Sequence, residues 1–213
     1  MKLLHQMRAT LARCISNQAG SAAVEFALVA TPLLILILGS FDLGYQAYLR
    51  SVVQGALNDV ARTASMEAPD LSCTEVTLVG QVQCAIKRRS DVVARDATYN
   101  VTVSNYFDFN GVNRSEKLVT DYNNNGHYDL GDCFVDLNVN GEYDSESDPD
   151  AELGRDGVGS ADDVAYYEVE VNLPRLFPIH QFLPVSPTYQ IRGQTALRNQ
   201  PYARQVIPPT VCV

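Results

Sequence analysis

An apolar stretch near the N-terminus constrains the fold of this chain most strongly. Residues 26–38 are apolar apart from Thr31 and Pro32, and the stretch 22–41 has about the 20 residues that a helix needs to cross a bilayer. Three basic residues and no acidic residue come before Ser21. Because positively charged segments tend to stay on the cytoplasmic side of a membrane, the sequence predicts a single-pass anchor with a cytoplasmic N-terminus and an exported remainder.

The head of this stretch carries a carboxylate that calls for a functional explanation. Glu25 stands among apolar residues, and an isolated charge near the bilayer centre costs roughly 2.5–3.5 kcal/mol on insertion scales. An ordinary secretory signal is cut after its apolar core at a small-x-small site, and residues 39–45 fit such a site poorly. A polar leader that ends in Gly20, followed by Ser21, Glu25 and Phe26 at these offsets, instead resembles the prepilin pattern of type IV pili. There the peptidase cuts before the apolar segment and leaves it attached.

A longer resemblance rests on the same segment. Residues 20–44, which read GSAAVEFALVATPLLILILGSFDLG, resemble the N-terminal signature of TadE-like pseudopilins, minor pilins of the tight-adherence pilus system (Flp, type IVb-like). Residues 196–202, ALRNQPY, are similar to a short motif that often closes these proteins. The resemblance implies a structural subunit that takes part in pilus assembly after cleavage at Gly20. It also implies a place in the bacterial inner membrane, with the C-terminal domain in the periplasm, and entry into a surface pilus.

The resemblance further implies partners and a role for one carboxylate. The implied partners are the prepilin peptidase, other pilins and pseudopilins, the pilus assembly platform and the inner membrane. Glu25 would pair with the new N-terminal amine of Ser21 in a neighbouring subunit, because a misplaced partner would leave a buried charge unpaired. The alternative for Glu25 is a place at headgroup level, where a carboxylate also favours a helix N-terminus through the helix dipole.

The rest of the chain has room for one folded domain. We expect a leader over 1–20, a transmembrane helix over 21–41, a continuation of that helix over 42–67, and an extracytoplasmic domain over 68–213 with an acidic insertion over 121–163. The formal charge of −9 would become −12 after loss of the three basic residues of the leader. Such an acidic chain argues against nucleic acid as a partner.

Apolar periodicity predicts one long helix. Beyond the apolar stretch, apolar residues recur at steps of three and four, so the helix should run from about Ala22 to Met66 before Pro69 ends it. Pro32 is expected to kink its membrane half. A helix of that length, roughly 65 Å, is longer than any bilayer crossing, and its outer half should pack on the exported domain.

Other patterns predict the sheet that this helix would cover. Apolar residues alternate over 99–103, 167–173 and 189–197, which is typical of strands with one buried face. Residues 71–93 are compatible with a helix or a hairpin, and we favour the helix. The expected fold class is therefore α+β, with a long N-terminal helix packed on a small antiparallel sheet and an acidic, calcium-loop-like insertion.

The cysteines agree with an oxidising compartment for the exported part. Cys14 lies in the leader, which leaves an even number of four cysteines that allow three pairings. We favour Cys73 with Cys84, which closes a short local loop, and Cys133 with Cys212, which would tie the acidic insertion to the C-terminal tail. A zinc site is disfavoured because no Cys-x-x-Cys or close Cys-His spacing occurs.

The acidic insertion contains two tandem patterns typical of calcium-binding loops. Residues 121–163 hold 13 of the 25 acidic residues against one base, Arg155, and such a charge density resists compaction unless it is neutralised. Oxygen side chains at alternate positions followed by a glycine match the EF-hand type of loop, in residues 121–132 and again fifteen residues later. The candidate calcium ligands are Asp121, Asn123, Asn125, His127, Asp129, Asp132, Asp136, Asn138, Asn140 and Asp144. The alternative is a surface insertion rich in Asx turns that needs no metal.

Nothing in the sequence favours catalysis. His5 lies in the leader, His127 in the first calcium-like loop and His180 among prolines, and none has the spacing to Ser, Cys or Asp that a nucleophilic triad needs. We therefore expect a non-enzymatic protein. The alternative to a pilin is a permanently anchored envelope protein whose calcium-ordered domain binds a ligand or a surface.

Overall fold

The chain divides into two units, and every strand of the described residues lies in the second. The computed structural model describes residues 20–181 and 184–213, so the predicted leader lies outside the described residues except for Gly20. The first unit contains the described residues up to Tyr45 and those of Leu176–Val185, and the second contains Gln46–Arg175 and Ser186–Val213. In chain order the elements are α1 (Ser21–Ala64), α2 (Leu78–Ser90), β1 (Thr98–Tyr106), β2 (Leu118–Thr120), β3 (Cys133–Val135), β4 (Arg155–Asp156), β5 (Val164–Pro174), β6 (Thr188–Arg198) and β7 (Thr210–Cys212).

The long predicted helix is present. α1 begins directly after Gly20 and ends at Ala64, within two residues of the predicted bounds. Pro32 lies inside α1 without interrupting it, and the kink expected there stays a prediction. The hydroxyl of Thr31 donates to the carbonyl of Ala27 at 2.8 Å in this turn.

Two antiparallel sheets make up the β structure of the second unit. The larger has four strands in the order β4-β1-β5-β6, and the smaller has three in the order β2-β3-β7. The three predicted strands are the cores of β1, β5 and β6, each of which extends beyond its predicted bounds. The smaller sheet and β4 were not predicted, because strands of two or three residues are too short to show an alternating pattern.

The outer part of α1 packs on the larger sheet. Leu49, Val53, Leu57 and Val60 are fully buried, at the three and four residue steps that place them on one face of the helix. Gly193 in β6 allows the close approach. A Cβ atom at this position would lie 3.5 Å from Leu57 Cδ2, an ordinary contact, and 3.1 Å from Gln54 Oε1, so the Gln54 side chain would have to shift by a few tenths of an ångström.

The segment 71–93 contains the favoured helix over Leu78–Ser90, preceded by a loop over residues 71–77. Thr77 is the N-cap of α2, with its side chain accepting a hydrogen bond from the backbone N–H of Gly80 at 3.1 Å. α2 buries Val82 and Ile86. The Cys73–Cys84 disulfide ties the preceding loop to this helix.

The second disulfide joins two strands of the smaller sheet. Cys133 and Cys212 are directly opposite each other in the β3–β7 pair and are bonded. The structure thus has the two pairings that the sequence favours. The bond fixes the C-terminal tail to the strand that follows the first acidic loop.

A network of buried polar groups fastens the segment 155–163 to the sheet. The side-chain amide of Asn105 donates to three carbonyls of this segment, at 3.0–3.1 Å. The amide of Asn199 donates to the carbonyls of Val158 and Ser160. Asn199 belongs to the ALRNQPY motif, which therefore has a structural role here in holding a loop against the end of β6.

Candidate functional sites in the N-terminal helix and the acidic loops

The predicted processing residues lie together at the start of α1. Gly20 immediately precedes the helix, and Ser21, Glu25 and Phe26 form its first turns. All four are exposed, and the side chain of Phe26 is 75% exposed. The hydroxyl of Ser21 donates to Glu25 Oε1 at 3.0 Å, so the carboxylate lies one turn above the residue that cleavage would make N-terminal.

The surface of α1 beyond this point is apolar and exposed. Its most apolar window of 18 residues has a mean hydropathy of 2.2, and none of that window is buried within the protein. In the described ranges, α1 is the one helix with the length and composition to cross a membrane. The hydroxyl of Ser40 is satisfied by the carbonyl of Leu36 at 2.8 Å, so it adds little polarity to this surface. These properties fit a single-pass membrane anchor.

Asp42 is a notable residue that the sequence predictions did not single out. It is the only charged residue between Phe26 and Leu49, and it is 1% exposed. Burial keeps this carboxylate away from lipid, where a charge is costly. Its isolation in an apolar stretch was a signal, but the predicted membrane segment ended one residue earlier, at Phe41.

Comparison with known proteins finds a similarity in the same N-terminal segment. A family model described as TadE-like protein matches residues 20–62. The N-terminal segment of this chain is TadE-like. The searches of curated proteins and of solved structures found no match. At the level of the family, the match supports a minor pilin associated with the Tad pilus, and the TadE-like segment covers α1 almost completely.

Outside the TadE-like segment, the first acidic loop is ordered by its own side chains. Asp121 accepts hydrogen bonds from the backbone N–H groups of Asn125 and Gly126, at 3.3 and 2.7 Å. The Gly126 N–H has the largest effect and lowers the pKa of the Asp121 carboxyl. The amides of Asn123 and Asn125 both donate to Asp129 Oδ2 at 2.7 Å. Side chains from the third, fifth and ninth positions of the loop therefore meet at one carboxylate.

The second acidic loop repeats this arrangement position by position. Asp136 accepts from the N–H groups of Asn140 and Gly141, at 3.2 and 2.9 Å. The amides of Asn138 and Asn140 donate to Asp144 Oδ2, at 2.8 and 3.1 Å. The backbone also repeats, because the fourth and sixth positions have positive φ angles in both loops: Asn124, Gly126, Val139 and Gly141.

The two loops are packed against each other through aromatic rings. Tyr128 and Tyr143, the eighth residues of their loops, stack with their ring centroids 4.4 Å apart. Phe134, between the loops in sequence, makes edge-to-face contacts with both rings. Such contacts contribute about 0.5–1.5 kcal/mol each beyond the area they bury. The loops therefore form a pair rather than two separate turns.

Two more carboxylates complete the loop pair. Asp132, at the twelfth position of the first loop, is buried and accepts from the N–H groups of Tyr122 and Asp129, both at 3.0 Å. Glu116, which was not predicted as a site residue, is 7% exposed and accepts from the N–H groups of Leu137 and Asp144, at 2.6 and 3.2 Å. Glu116 lies just before the first loop in sequence, but the N–H groups it accepts from belong to the second loop, 21 and 28 positions away, so no local pattern marks it.

The ten candidate calcium ligands thus fall into two similar sets, with His127 apart from them. The side chain of His127 is exposed, and its backbone N–H donates to Asn125 Oδ1 at 2.7 Å. Over residues 20–181 and 184–213, no group of three or more His, Cys, Asp or Glu side chains is arranged to hold a metal ion. Each loop instead brings one carboxylate together with two Asn side chains, and the loops are held in shape by backbone hydrogen bonds.

We expect Glu116→Gln to change how stability depends on pH. Burial has the largest effect on this carboxyl and raises its pKa, against the lowering effect of its two N–H donors. A raised pKa means that the folded state holds the proton more tightly than the unfolded state. The contribution of Glu116 to stability therefore falls as pH rises from the ordinary Glu pKa through the raised value. Glu116→Gln should lose this part of the pH dependence.

The measurement is urea unfolding of both proteins in calcium-free buffer between pH 4 and pH 7.5. Wild type should lose stability relative to Glu116→Gln as pH increases over this range. A difference that stays constant with pH would show that the Glu116 carboxyl titrates normally. Glu142→Gln, in an exposed residue of the second loop, is the matched control.

Proposed function

We propose that this protein is a non-enzymatic minor pilin, or pseudopilin, that takes part in the assembly of a Flp-type Tad pilus after prepilin peptidase cleaves it following Gly20. The observation that carries the proposal is the exposed, apolar α1, which begins at Ser21 and lies within the TadE-like match over residues 20–62. An apolar helix without a covering surface needs either lipid or other helices around it. A pilin helix has both in turn, first in the inner membrane and then in the pilus.

Cleavage would give Ser21 a free amine beside the carboxylate of Glu25. Because the hydroxyl of Ser21 already reaches Glu25 Oε1 at 3.0 Å, an amine at the same residue would lie in its neighbourhood. When helices stack, Glu25 would exchange this local contact for the amine of a neighbouring subunit. In hydrocarbon an unpaired charge is costly, so the pairing would select the correct register of adjacent helices.

The orientation in the proposal is an N-terminus in the cytoplasm and a second unit in the periplasm. The basic residues of the leader and the two disulfides support it, since disulfides persist in oxidising compartments. The partners are then the prepilin peptidase, other pilins or pseudopilins and the assembly platform.

The N-terminal residue and the intact mass of the membrane-extracted protein test this function, in cells with and without the prepilin peptidase. We expect a start at Ser21 that depends on the peptidase. Gly20→Val should block cleavage, whereas Gly39→Val, at an open position of the same helix, should not. Glu25→Gln should leave cleavage intact and remove the protein from sheared pili. An intact Met1 in wild-type cells would contradict the proposal and favour the permanently anchored envelope protein.

We also propose that the paired acidic loops bind calcium and that the ion orders the exported domain. In each loop the amide N–H groups of two Asn side chains meet one carboxylate, Asp129 or Asp144, which supports the proposal by bringing three candidate ligand side chains together. On binding calcium, the Asn side chains would turn their oxygen atoms to the ion, since calcium takes oxygen ligands. Because Tyr128 and Tyr143 stack on each other, calcium bound in one loop would also order the other loop. Extracellular loops of this type bind calcium with dissociation constants on the order of 10⁻⁴ to 10⁻³ M, which suits a structural role.

Calcium at about 10 mM should therefore stabilise the protein by about 1.4–2.7 kcal/mol, as mass action predicts for such affinities. The measurement is thermal unfolding of the full chain in detergent, with calcium, with magnesium and with a chelator. Asp129→Asn should reduce the calcium effect, and Asp150→Asn, an exposed acid outside both loops, should not. An unfolding temperature that is the same in calcium and in chelator would exclude this role and leave the loops as Asx turns.

A further inference from the structure

The outer edge of β6 pairs with no strand in the described part of the chain. β6 has 11 residues and is the terminal strand of the larger sheet, where β5 is its partner among residues 20–181 and 184–213. An edge of this length presents a row of backbone N–H and C=O groups that can pair with another strand. Natural proteins commonly cover or interrupt such edges, so an uncovered one calls for an occupant.

The register of the sheet shows which groups face outward. The N–H of Asn199 donates to the carbonyl of Asp163 at 2.8 Å, in continuation of the β5–β6 register. Because alternate residues bond inward in an antiparallel pair, the odd-numbered residues of β6 face β5 and the even-numbered ones face outward. The carbonyl of Gln194 agrees, since it accepts from Gln54 Nε2 of α1 at 3.0 Å. The outward N–H groups that bond to no other described residue are those of Gln190, Arg192, Gln194 and Ala196.

On the opposite side of the same sheet, several outward groups of β1 are covered. β4 pairs with β1 at Ser104 and Asn105. Next to it, the carbonyl of Val103 accepts from the N–H of Gly157 at 2.9 Å. Further along, the carbonyl of Tyr99 accepts from the side chain of Gln83 in α2. β6 differs in having a run of four outward N–H groups without a described partner.

An open groove with positive charge runs beside this edge. It has a volume of about 640 Å³ and lies between residues 47–54 of α1 and the strand residues Arg192 and Gln194. Arg50 is exposed and forms no ion pair with a described residue. Arg192 makes one exposed contact, to Glu170 at 3.5 Å. In a chain with a net charge of −9, this groove is a local exception.

The charges favour one kind of occupant over a second copy of this chain. Pairing of β6 with β6 of another copy would bring Arg50 and Arg192 of both copies together, and like charges across an interface oppose binding. An acidic strand would instead be attracted along the whole groove. It would supply acceptors for the free N–H groups and neutralise the free guanidinium of Arg50.

We propose that the outer edge of β6 binds an extended strand of another protein, with an acidic side chain of that strand facing Arg50 or Arg192. The inference goes beyond the pilin proposal, because it depends on the second unit and not on cleavage after Gly20. Main-chain hydrogen bonds would provide the affinity, and the two arginines would provide specificity for an acidic partner.

Hydrogen exchange of the full chain in detergent micelles tests the proposal with two capped probe peptides. The acidic probe is Thr-Val-Asp-Val-Asp-Val-Thr, and the basic probe has Lys in place of each Asp. With saturating acidic probe, exchange should slow about tenfold or more at the amides of Gln190, Arg192, Gln194 and Ala196. The basic probe should bind more weakly. No slowing at these amides, or equal binding of both probes, would overturn the proposal.

Variants separate the backbone contribution from the charge contribution. Gln194→Pro removes one outward N–H while leaving the β5 pairing intact, and should weaken binding of the acidic probe about tenfold. Gln194→Thr keeps the N–H and should bind like wild type. Should the proline variant fail to fold, Arg50→Glu keeps the test open. Arg50→Glu should weaken binding of the acidic probe about fivefold, the upper range for an exposed ion pair. It should strengthen binding of the basic probe.

A control for net charge is Arg62→Glu, at an exposed position of α1 outside the groove. This variant should bind the acidic probe like wild type. Two further results would overturn the proposal. An equal loss in Arg62→Glu would assign the effect to net charge. Slowing of the four amides without any probe, increasing with protein concentration, would identify a second copy as the occupant.

Discussion

Asp163→Asn should lower the free energy of unfolding by about 3–5 kcal/mol, the range found when one partner of a buried ion pair is removed. Asp163 is fully buried, and its Oδ2 atom lies 3.2 Å from Arg155 Nη2, whose side chain is 22% exposed. The contact is ionic, since Arg155 Nη2 makes no hydrogen bond to a described acceptor. The carboxylate also accepts from Ser160 and Gln205. The neutral side chain of Asn would leave the guanidinium charge of Arg155 without a counter-charge. Its amide N–H groups would also lie against the donors of Ser160 and Gln205.

The measurement is urea unfolding of the full chain in detergent, followed by tyrosine fluorescence, since the chain has 11 Tyr and no Trp. Asp162→Asn is a closely matched control. Its side chain is 33% exposed and lies 3.9 Å from Arg198, which is itself 46% exposed. Partly exposed ion pairs contribute about 0–1 kcal/mol. Equal losses in the two variants would show that burial of Asp163 does not matter to stability.

Leu57→Ala should cost about 2–5 kcal/mol, because it deletes a fully buried side chain in the contact between α1 and the larger sheet. Gly193 faces Leu57 and has no side chain that could move into the cavity. The backbone of β6 would have to shift to fill the space, and its hydrogen bonds to β5 resist that shift. The loss should therefore lie toward the upper end of the range.

The same urea experiment measures this loss, with Arg62→Ala as the control on the exposed face of α1. Exposed substitutions of this kind usually change stability by less than about 0.5 kcal/mol. A similar small change in Leu57→Ala would mean that the outer part of α1 does not pack on the sheet.

The long elements could be predicted because each has a periodic apolar face. α1 combines an apolar run with three and four residue steps, the cores of β1 and β5 alternate between more and less buried residues, and β6 alternates up to Gln194. The disulfide pairing could be favoured from chain distance and from the position of the acidic insertion. These are signals that neighbouring residues carry.

The parts that could not be predicted depend on contacts between distant residues. Glu116 bonds to backbone N–H groups 21 and 28 positions away, and Asn105 to carbonyls about 50 positions away. The burial of Asp42 likewise needs the folded chain. The repeated pattern of the acidic loops was visible in the sequence, but the contact between Tyr128 and Tyr143 that pairs them was not.

The order of the strands along the chain separates the completion of the two sheets in time. β1, β5 and β6 all precede β7, and Cys212 lies 79 residues after its partner in β3. The larger sheet can therefore close while β3 still has an exposed edge and Cys133 a free thiol. The smaller sheet is the last to be completed, so the acidic loops remain the part of a newly made chain most open to mispairing and proteolysis.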